Sequence, residues 1–445
     1  MSSDAPSFSP RMLPVVFGIF VCCFLSCRPT QSPQETLRPN ILLIMADDLG
    51  YNDLSCYGSP HIQTPTLDRL ATEGVRFTDY HANGAVCSPT RAALLSGLYQ
   101  QRIGIDGVVY TWLRDSLGMA QEVHTIAESL KEGGYKTAVF GKWHLGYKTE
   151  FNPIHQGFDL FRGFVAGNVD YHSHLDNQLV FDWWRNDSLQ DDPGYSTDLI
   201  TQYALDFLAS PTDTPFFLYL PYAAPHDPYQ GRKDPPVRQA GMPPRKVSPD
   251  SITYIYKEMV EVLDEGIGKI IDLLAQKGIV DNTFIFFCSD NGANRHGSNH
   301  PLRGFKGGLY EGGHRVPAIA YWPGKIPKGL EIETPIMSMD LYPTLTALSQ
   351  IPMSSELKDG VSFLPLLTDG TPLTERPLFW SYNKQLAMRM GDWKLVQTPE
   401  GSALYNLRTD ISEQKDLSDA YPDRFQLMQE EVQAWYEEIY SGQMD

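Results

Sequence analysis

Two pairs of hard oxygen donors stand where apolar runs end. Asp47-Asp48 follows Asn40 to Met45, and Asp290-Asn291 follows Thr283 to Phe287. Carboxylate and amide oxygens select Ca2+ or Mg2+ over zinc, which prefers His and Cys donors. Adjacent like charges at the end of a buried strand need a counter-charge, and a divalent cation supplies one. A third pattern is Cys87-Ser88-Pro89-Thr90-Arg91, followed by Ala92-Ala93-Leu94-Leu95-Ser96-Gly97. Ser88 with Pro89 behind it reads as an N-cap and first helical position. Cys87 then stands just ahead of a helix N-terminus, where backbone N–H groups and the dipole favour anions. Arg91, one turn in, can present a guanidinium fork to a sulfuryl or phosphoryl group. Lys142 and His144 follow the run Thr137 to Phe140, and His226 follows Phe216 to Leu220. They add the charge and the proton donors and acceptors that ester cleavage needs.

Elements must bring these groups together. Four apolar runs each deliver polar residues just past their C-terminal ends, the edge where ligands bind in open α/β sheets. Helices are predicted at Thr66 to Glu73, Thr125 to Glu132, Ser196 to Ala209 and Ser251 to Lys277; the last carries a helical stripe of Ile255, Met259, Val262, Leu263, Ile267, Ile270 and Ile271. The alternation predicts an α/β fold with a large mixed, mostly parallel sheet between helices, over residues 39–349. Beyond that the texture changes. Leu378 to Trp380, Leu386 to Met390, Trp393 to Val396 and Ala403 to Tyr405 are short runs separated by turn signals, and a helix from Pro422 to Tyr440 closes the chain. A C-terminal α+β subdomain with a small antiparallel sheet is expected over 350–445.

The 445 residues carry a net charge of −18 and are 42% hydrophobic. That acidity argues against nucleic acid as the main partner, and no long apolar run after residue 30 suggests a polytopic membrane protein. Arg11, the apolar stretch Met12 to Leu25 and then Ser26-Cys27 read as a signal peptide over 1–27. Phe24-Leu25-Ser26-Cys27 looks like a relaxed bacterial lipobox with Cys27 as the acylated residue; plain cleavage near Ser26 is the alternative. Residues 28–38 read as a linker. The expected location is outside the bacterial cytoplasm, periplasmic or anchored to the outer membrane through that lipid alone. Of the six cysteines only Cys56, Cys87 and Cys288 lie beyond the leader, which leaves at least one unpaired.

At Cys87-Ser88-Pro89-Thr90-Arg91 the chain resembles the type I, formylglycine-dependent sulfatases of the alkaline phosphatase superfamily. Asp47-Asp48-Leu49-Gly50, Thr64-Pro65-Thr66-Leu67-Asp68, Gly141-Lys142-Trp143-His144-Leu145-Gly146, Pro225-His226, Ser289-Asp290-Asn291-Gly292, Lys306-Gly307-Gly308 and Glu311-Gly312-Gly313 occur in the family's order. The segment Pro301 to Trp322 resembles the arylsulfatase A and N-acetylgalactosamine-6-sulfatase side of that family. The resemblance implies sulfuric ester hydrolysis. It implies that a separate maturation enzyme oxidises Cys87 to formylglycine, whose hydrate attacks sulfur, aided by Asp290. His226 with Lys306 would protonate the leaving oxygen, His144 would take a proton from the second hydroxyl, and Lys142 and Arg91 would hold the developing charge. Asp47, Asp48, Asp290, Asn291 and residue 87 would ligate one metal ion, Ca2+ ahead of Mg2+.

Export, acidity and these motifs together suggest a sulfated carbohydrate as substrate, in the form of polysaccharide fragments. Asp170, Tyr171, His172 and His174 make one polar-aromatic cluster, and Arg295, His296, His300 and Arg303 lie between the metal motif and Lys306. Asp170, His172, Arg295, His300 and Arg303 are therefore expected to bind substrate. Trp183 and Trp184 suit either a sugar-stacking face or the core. Two rival readings are a phosphomonoester, phosphodiester or phosphonate hydrolase of the same superfamily, and a surface lipoprotein that binds glycan without turnover.

Overall fold

The apolar runs fold as strands buried on both faces, which is why they are nearly continuous rather than alternating. The computed structural model describes residues 1–14, 38–113, 116–210, 214–353 and 359–441. In chain order the strands are β1 (Asn40–Ala46), β2 (Val75–His81), β3 (Lys136–Lys142), β4 (Leu160–Phe164), β5 (Trp184–Arg185), β6 (Ser188–Leu189), β7 (Phe216–Pro221), β8 (Thr283–Ser289), β9 (Arg315–Tyr321), β10 (Leu330–Ile332) and β11 (Ile336–Met337). Among the described residues they form one sheet in the order β10-β2-β9-β8-β1-β7-β3-β4-β5-β6, with β11 beside β2. The neighbours β8, β1, β7, β3 and β4 are all parallel, whereas β9 runs antiparallel to β8 and β2. The fold is the large mixed, mostly parallel sheet between helices that the apolar runs predict.

Helices cover both faces: α1 (Pro65–Glu73), α2 (Cys87–Ser96), α3 (Ile126–Glu132), α4 (Ser196–Ala209), α5 (Pro249–Gln276), the single turn α6 (Glu311–His314), α7 (Leu341–Leu348), α8 (Leu364–Thr368) and α9 (Pro422–Tyr440). On one face Leu42 and Ile44 pack with Leu67 of α1, Ile200 of α4 and Met259, Leu263, Ile267 and Ile270 of α5. On the other, Ile41, Leu43 and Met45 pack with Leu94 of α2, Ile126 of α3 and Leu345 of α7. Each such side chain contributes about 1.5–3 kcal/mol on leaving water, so the middle of the sheet is the rigid part. The segment after residue 350 first returns to this core through Phe363 and Leu367.

A second sheet then begins, β12 (Leu378–Tyr382), β13 (Gln385–Met390), β14 (Trp393–Thr398) and β15 (Gly401–Asn406), antiparallel throughout. Helix α9 lies on it through Met428, Val432, Trp435 and Ile439, with Trp435 stacked on Phe379 at 5.0 Å. Asn383 and Lys384 both take positive φ, the two-residue turn that matches strand twist. Residues Met1–Leu37 form a separate unit; Cys27, the candidate acylation site, lies outside the described residues. Cys56, Cys87 and Cys288 are all free thiols.

Helix α2 departs from its expected start. It begins at Cys87 itself, with extended Val86 in the cap position and no side-chain cap, instead of being capped by Ser88. The Ser88 hydroxyl accepts the Val109 N–H at 3.1 Å, and Pro89 still falls in the first turn, where a missing N–H costs nothing. All ten residues of α2 are buried.

Candidate active site

Because β8, β1, β7 and β3 are parallel neighbours, their C-terminal ends open on one edge, and the polar residues that follow converge there. Asp47 and Asp48 follow β1, Lys142 ends β3, and Asp290 and Asn291 follow β8. The Asp47 N–H donates to the Ala224 carbonyl (3.1 Å) and the Asp290 N–H to the Ala46 carbonyl (3.1 Å), which fixes the turn before His226 and the β8 end against β1. Asp48 and His144 both take left-handed backbone conformations, φ 63° and 59°. Non-glycine residues seldom do so, and such positions gather at functional sites.

Cys87 Sγ lies 3.5 Å from Asp47 Oδ1 and 3.3 Å from Lys306 Nζ. Lys142 Nζ donates to Asp47 Oδ2 at 2.6 Å, and Lys306 Nζ to Asp48 Oδ1 at 2.6 Å. Arg91 donates through Nε and Nη2 to Asp290 Oδ2 (3.1 and 2.7 Å) and through Nη1 to the Lys142 carbonyl (3.0 Å). Burial alone would raise the thiol, but the Lys142 and Lys306 ammonium groups lower Cys87 to about 6. Burial and the neighbouring Asp47 push Asp290 up to about 6, against the pull of Arg91 and Lys142.

The donor set fits a hard divalent cation. Asp47, Asp48, Cys87 and His226 place one ligand atom each within 4.8 Å of the others. Asn291 donates through Nδ2 to Asp48 at 2.7 Å, while its Oδ1 is buried with no hydrogen-bond partner. A buried amide oxygen without a donor is costly, and a bound cation would satisfy it. Asp47, Asp48, Asp290 and Asn291 are the residues that would hold one.

Two histidines complete the edge in opposite states. His226 Nδ1 sits 2.6 Å from the Asp227 carbonyl, and its Nε2 3.7 Å from Asp48 Oδ2. Burial works against its charge, yet Asp47 and Asp48 raise it to about 10. His144 Nε2 sits 3.1 Å from the Val109 carbonyl. A carbonyl only accepts, so Nε2 carries the proton and Nδ1, buried without a partner, keeps its lone pair. Burial, then Lys142, Arg91 and Lys306, hold His144 neutral, far below its ordinary value. Ser88 fixes Val109, and Val109 fixes this tautomer.

Both histidines, Cys87 and Lys306 line one cavity of about 220 Å³, with Val108, Val109, Tyr110, Thr111, Tyr147, Gly167, Asn168 and Asn177. None of the five expected substrate residues lines it. The Asp170 carboxylate accepts four backbone N–H groups, from His172, Ser173, Val237 and Arg238 at 2.7–3.0 Å, and so staples two loops. His172 Nε2 contacts the Gly231 carbonyl at 3.1 Å. Arg303 lies over the Tyr310 ring at 3.9 Å and donates to the Glu413 carbonyl at 2.7 Å. Arg295 and His300 are exposed. Trp183 belongs to the core, stacked on His174 at 4.1 Å. The wall residues Tyr110, Asn168 and Asn177 escaped sequence reading; their one signal is a Tyr-Thr-Trp run between apolar valines and turn residues.

The glycines of the motifs are required by close approach. A Cβ on Gly292 would lie 1.9 Å from the Gly312 carbonyl oxygen, and one on Gly313 would lie 1.8 Å from that of Gly308. The metal loop, the Lys306 loop and α6 therefore interlock through bare backbone.

A sheet edge carrying a buried thiol beside two lysines, a carboxylate cluster and two histidines suits a hydrolase of anionic esters. Comparison with known proteins gives the family. The model of the Sulfatase family matches residues 39–351. N-acetylgalactosamine-6-sulfatase of Canis lupus familiaris is 36% identical over 388 residues, 80% of this chain and 71% of its own. Arylsulfatase A of Homo sapiens is 36% identical over 400 residues, 82% and 76% of the two chains. The crystal structure of Ps i-CgsB in complex with k-i-k-neocarrahexaose superposes with a TM-score of 0.82 at 33% identity, covering 89% of this chain and 92% of that one. The chain belongs to the sulfatase family, and it is a sulfatase.

Proposed function

We propose that this sulfatase removes sulfate from a sulfated carbohydrate, with Cys87 oxidised to formylglycine as nucleophile and one Ca2+ held by Asp47, Asp48, Asp290, Asn291 and residue 87. The observation that carries this reading is the position of Cys87, between the carboxylate cluster and the cavity, 3.3 Å from Lys306. The sugar substrate is supported by relatives: one is named for N-acetylgalactosamine 6-sulfate, and one is in complex with a neocarrahexaose. When bound, the cation polarises sulfuryl oxygens, and the formylglycine hydrate supplies a hydroxyl nucleophile.

The chain's own residues do the rest. Lys306 faces the cavity and attracts the sulfate. Protonated His226 donates to the leaving sugar oxygen, the step an alkoxide leaving group needs most. Neutral His144 accepts a proton at Nδ1. Lys142 and Arg91 hold Asp47 and Asp290 in place and balance their charge. Maturation depends on a separate formylglycine-generating enzyme.

The test is sulfate release from a panel of sulfated mono- and oligosaccharides, using protein co-expressed with that enzyme. Release is expected on part of the panel, lost with EDTA and restored by Ca2+ ahead of Mg2+. Phosphate release from matched phosphate esters in place of sulfate, or full rate after chelation, would overturn the reading. The leader Met12 to Leu25 and Ser26-Cys27 support export, with Cys27 acylated in a bacterial envelope. Palmitate labelling checks this, and an unlabelled Cys27 would remove the anchor.

A further inference from the structure

The segment joining α2 to α3 turns back over Cys87, and Val108 to Thr111 form one wall of the catalytic cavity. At its outer end Tyr110 and Trp112 stack face to face, ring centroids 4.0 Å apart and planes within 10°, while 38% and 64% exposed. Large aromatic faces left in water forgo the burial that stabilises them elsewhere in the chain. Here the stack is also held in place. Val109 is bonded to Ser88, and the Thr111 hydroxyl to Asn177 Oδ1 at 3.0 Å, so the two rings project from a fixed loop. Asn168 lines the same cavity, and its Oδ1 is buried with no hydrogen-bond partner. Flat apolar faces beside an unsatisfied amide acceptor match a pyranose ring, which offers a C–H face and hydroxyl donors together.

We propose that Tyr110 and Trp112, with Asn168 and Asn177, form a sugar subsite for the pyranose next to the one that bears the scissile sulfate. This rests on the sulfated-carbohydrate reading and deepens it. The aromatic pair takes the C–H face of that ring, and Asn168 Oδ1 accepts one of its hydroxyl protons. All four side chains are uncharged, in contrast to Lys306 and His226 in the same cavity. The neighbouring ring is therefore bound through hydroxyls and carbon faces, and the subsite holds it without a second sulfate. The enzyme would distinguish chain lengths at this point.

The experiment is calorimetric binding to the full chain carrying Cys87→Ala, so that no probe is consumed. The probes are two size series, chondroitin 6-sulfate and carrageenan fragments, each from the sulfated monosaccharide to the hexasaccharide. Affinity is expected to rise about tenfold from one sugar to two or more in at least one series. Adding Trp112→Ala should erase that gain while monosaccharide affinity stays within about twofold; Trp112→Phe should keep most of it. Asn168→Leu should also reduce it. Thermal melts of each variant report folding, and exposed Trp112 makes a loss of fold unexpected. A length gain that survives Trp112→Ala overturns the subsite and leaves the proposed function standing. Absence of binding by every sulfated sugar overturns both.

Discussion

Replacing Cys87 with alanine is expected to end sulfate release, with a loss on the order of 10⁴-fold or more, as for other enzymes stripped of their nucleophile. The sulfur sits where three influences meet: the first turn of a buried helix, the Lys142 and Lys306 ammonium groups, and the Asp47–Asp48 carboxylates. Alanine cannot be oxidised to the aldehyde whose hydrate attacks, and the fold should survive because a small buried side chain is exchanged for another. Melting temperature and circular dichroism check the fold; ion chromatography of released sulfate checks the rate. Cys87→Ser separates two ideas. Serine supplies a hydroxyl but no second one on the same carbon, so it should release at most one desulfated sugar per chain and no free sulfate, with the mass of one sulfuryl group added at residue 87. A Cys87→Ala protein that kept a tenth of the rate would remove Cys87 from the chemistry.

The second large effect concerns stability. Beneath α6 the two sheets are joined by buried charges. Arg389 of β13 forms a fork with Asp79 of β2, both contacts 2.6 Å, and Lys394 of β14 contacts Glu311 at 2.8 Å and Glu413 at 3.1 Å. Arg315 adds a contact to Glu311 at 3.1 Å. His81 and His314 complete the group, their Nδ1 atoms 3.0 Å apart. His81, Glu311 and His314 are spaced as metal ligands could be, but Arg315, Arg389 and Lys394 already balance Asp79, Glu311 and Glu413, and a further cation would meet three positive neighbours. The cluster is a weld. Glu311→Gln should cost about 3–5 kcal/mol, since it leaves Lys394 and Arg315 buried with less compensation; urea unfolding measures it, and a change under 1 kcal/mol would contradict the assignment.

The same network sets a pH dependence. Burial pulls Glu311 and Asp79 upward, but Lys394 and the arginines hold both below their ordinary values of 4.5 and 3.8. Depressed carboxylates stabilise the fold above their unfolded pKa, and that part is lost as pH falls through the folded values. Glu413 has the opposite sign. Burial pushes it up to about 7, so its contribution is present at low pH and fades as pH rises from the ordinary carboxylate range through 7. Melting temperature should drop steeply below about pH 4 and decline gently from about pH 4.5 to about 7.

The catalytic edge was legible because strand and site are written in the same residues: an apolar run that stops at Asp47, Lys142 or Asp290 announces both a strand and the end of it. That β8, β1, β7 and β3 lie side by side is a matter of long-range pairing, which the family motifs implied and local pattern did not. Asp170 could not be placed from local sequence, for a physical reason. Its partners Val237 and Arg238 lie far along the chain, and a carboxylate bonded to backbone looks in sequence like one aimed at substrate. Ser88 and Pro89 resembled a cap because the local preference is real, but extended Val86 leads into the helix and the Ser88 hydroxyl serves Val109. The cavity wall at Tyr110, Asn168 and Asn177 comes from irregular segments, where no periodicity marks which side chain turns inward.

The burial of α2 also fixes an order in time. Cys87 is 2% exposed and every residue of its helix is enclosed. Gly307 is tied on one side to the Ala85 carbonyl at 2.8 Å and on the other to Gln385 of the β12–β13 hairpin at 3.3 Å. A sugar sulfate needs only the narrow cavity to reach residue 87. A second protein acting on Cys87 would have to reach a side chain enclosed by its own helix and the Lys306 loop, so any enzymatic change there is expected before the C-terminal hairpin closes over it.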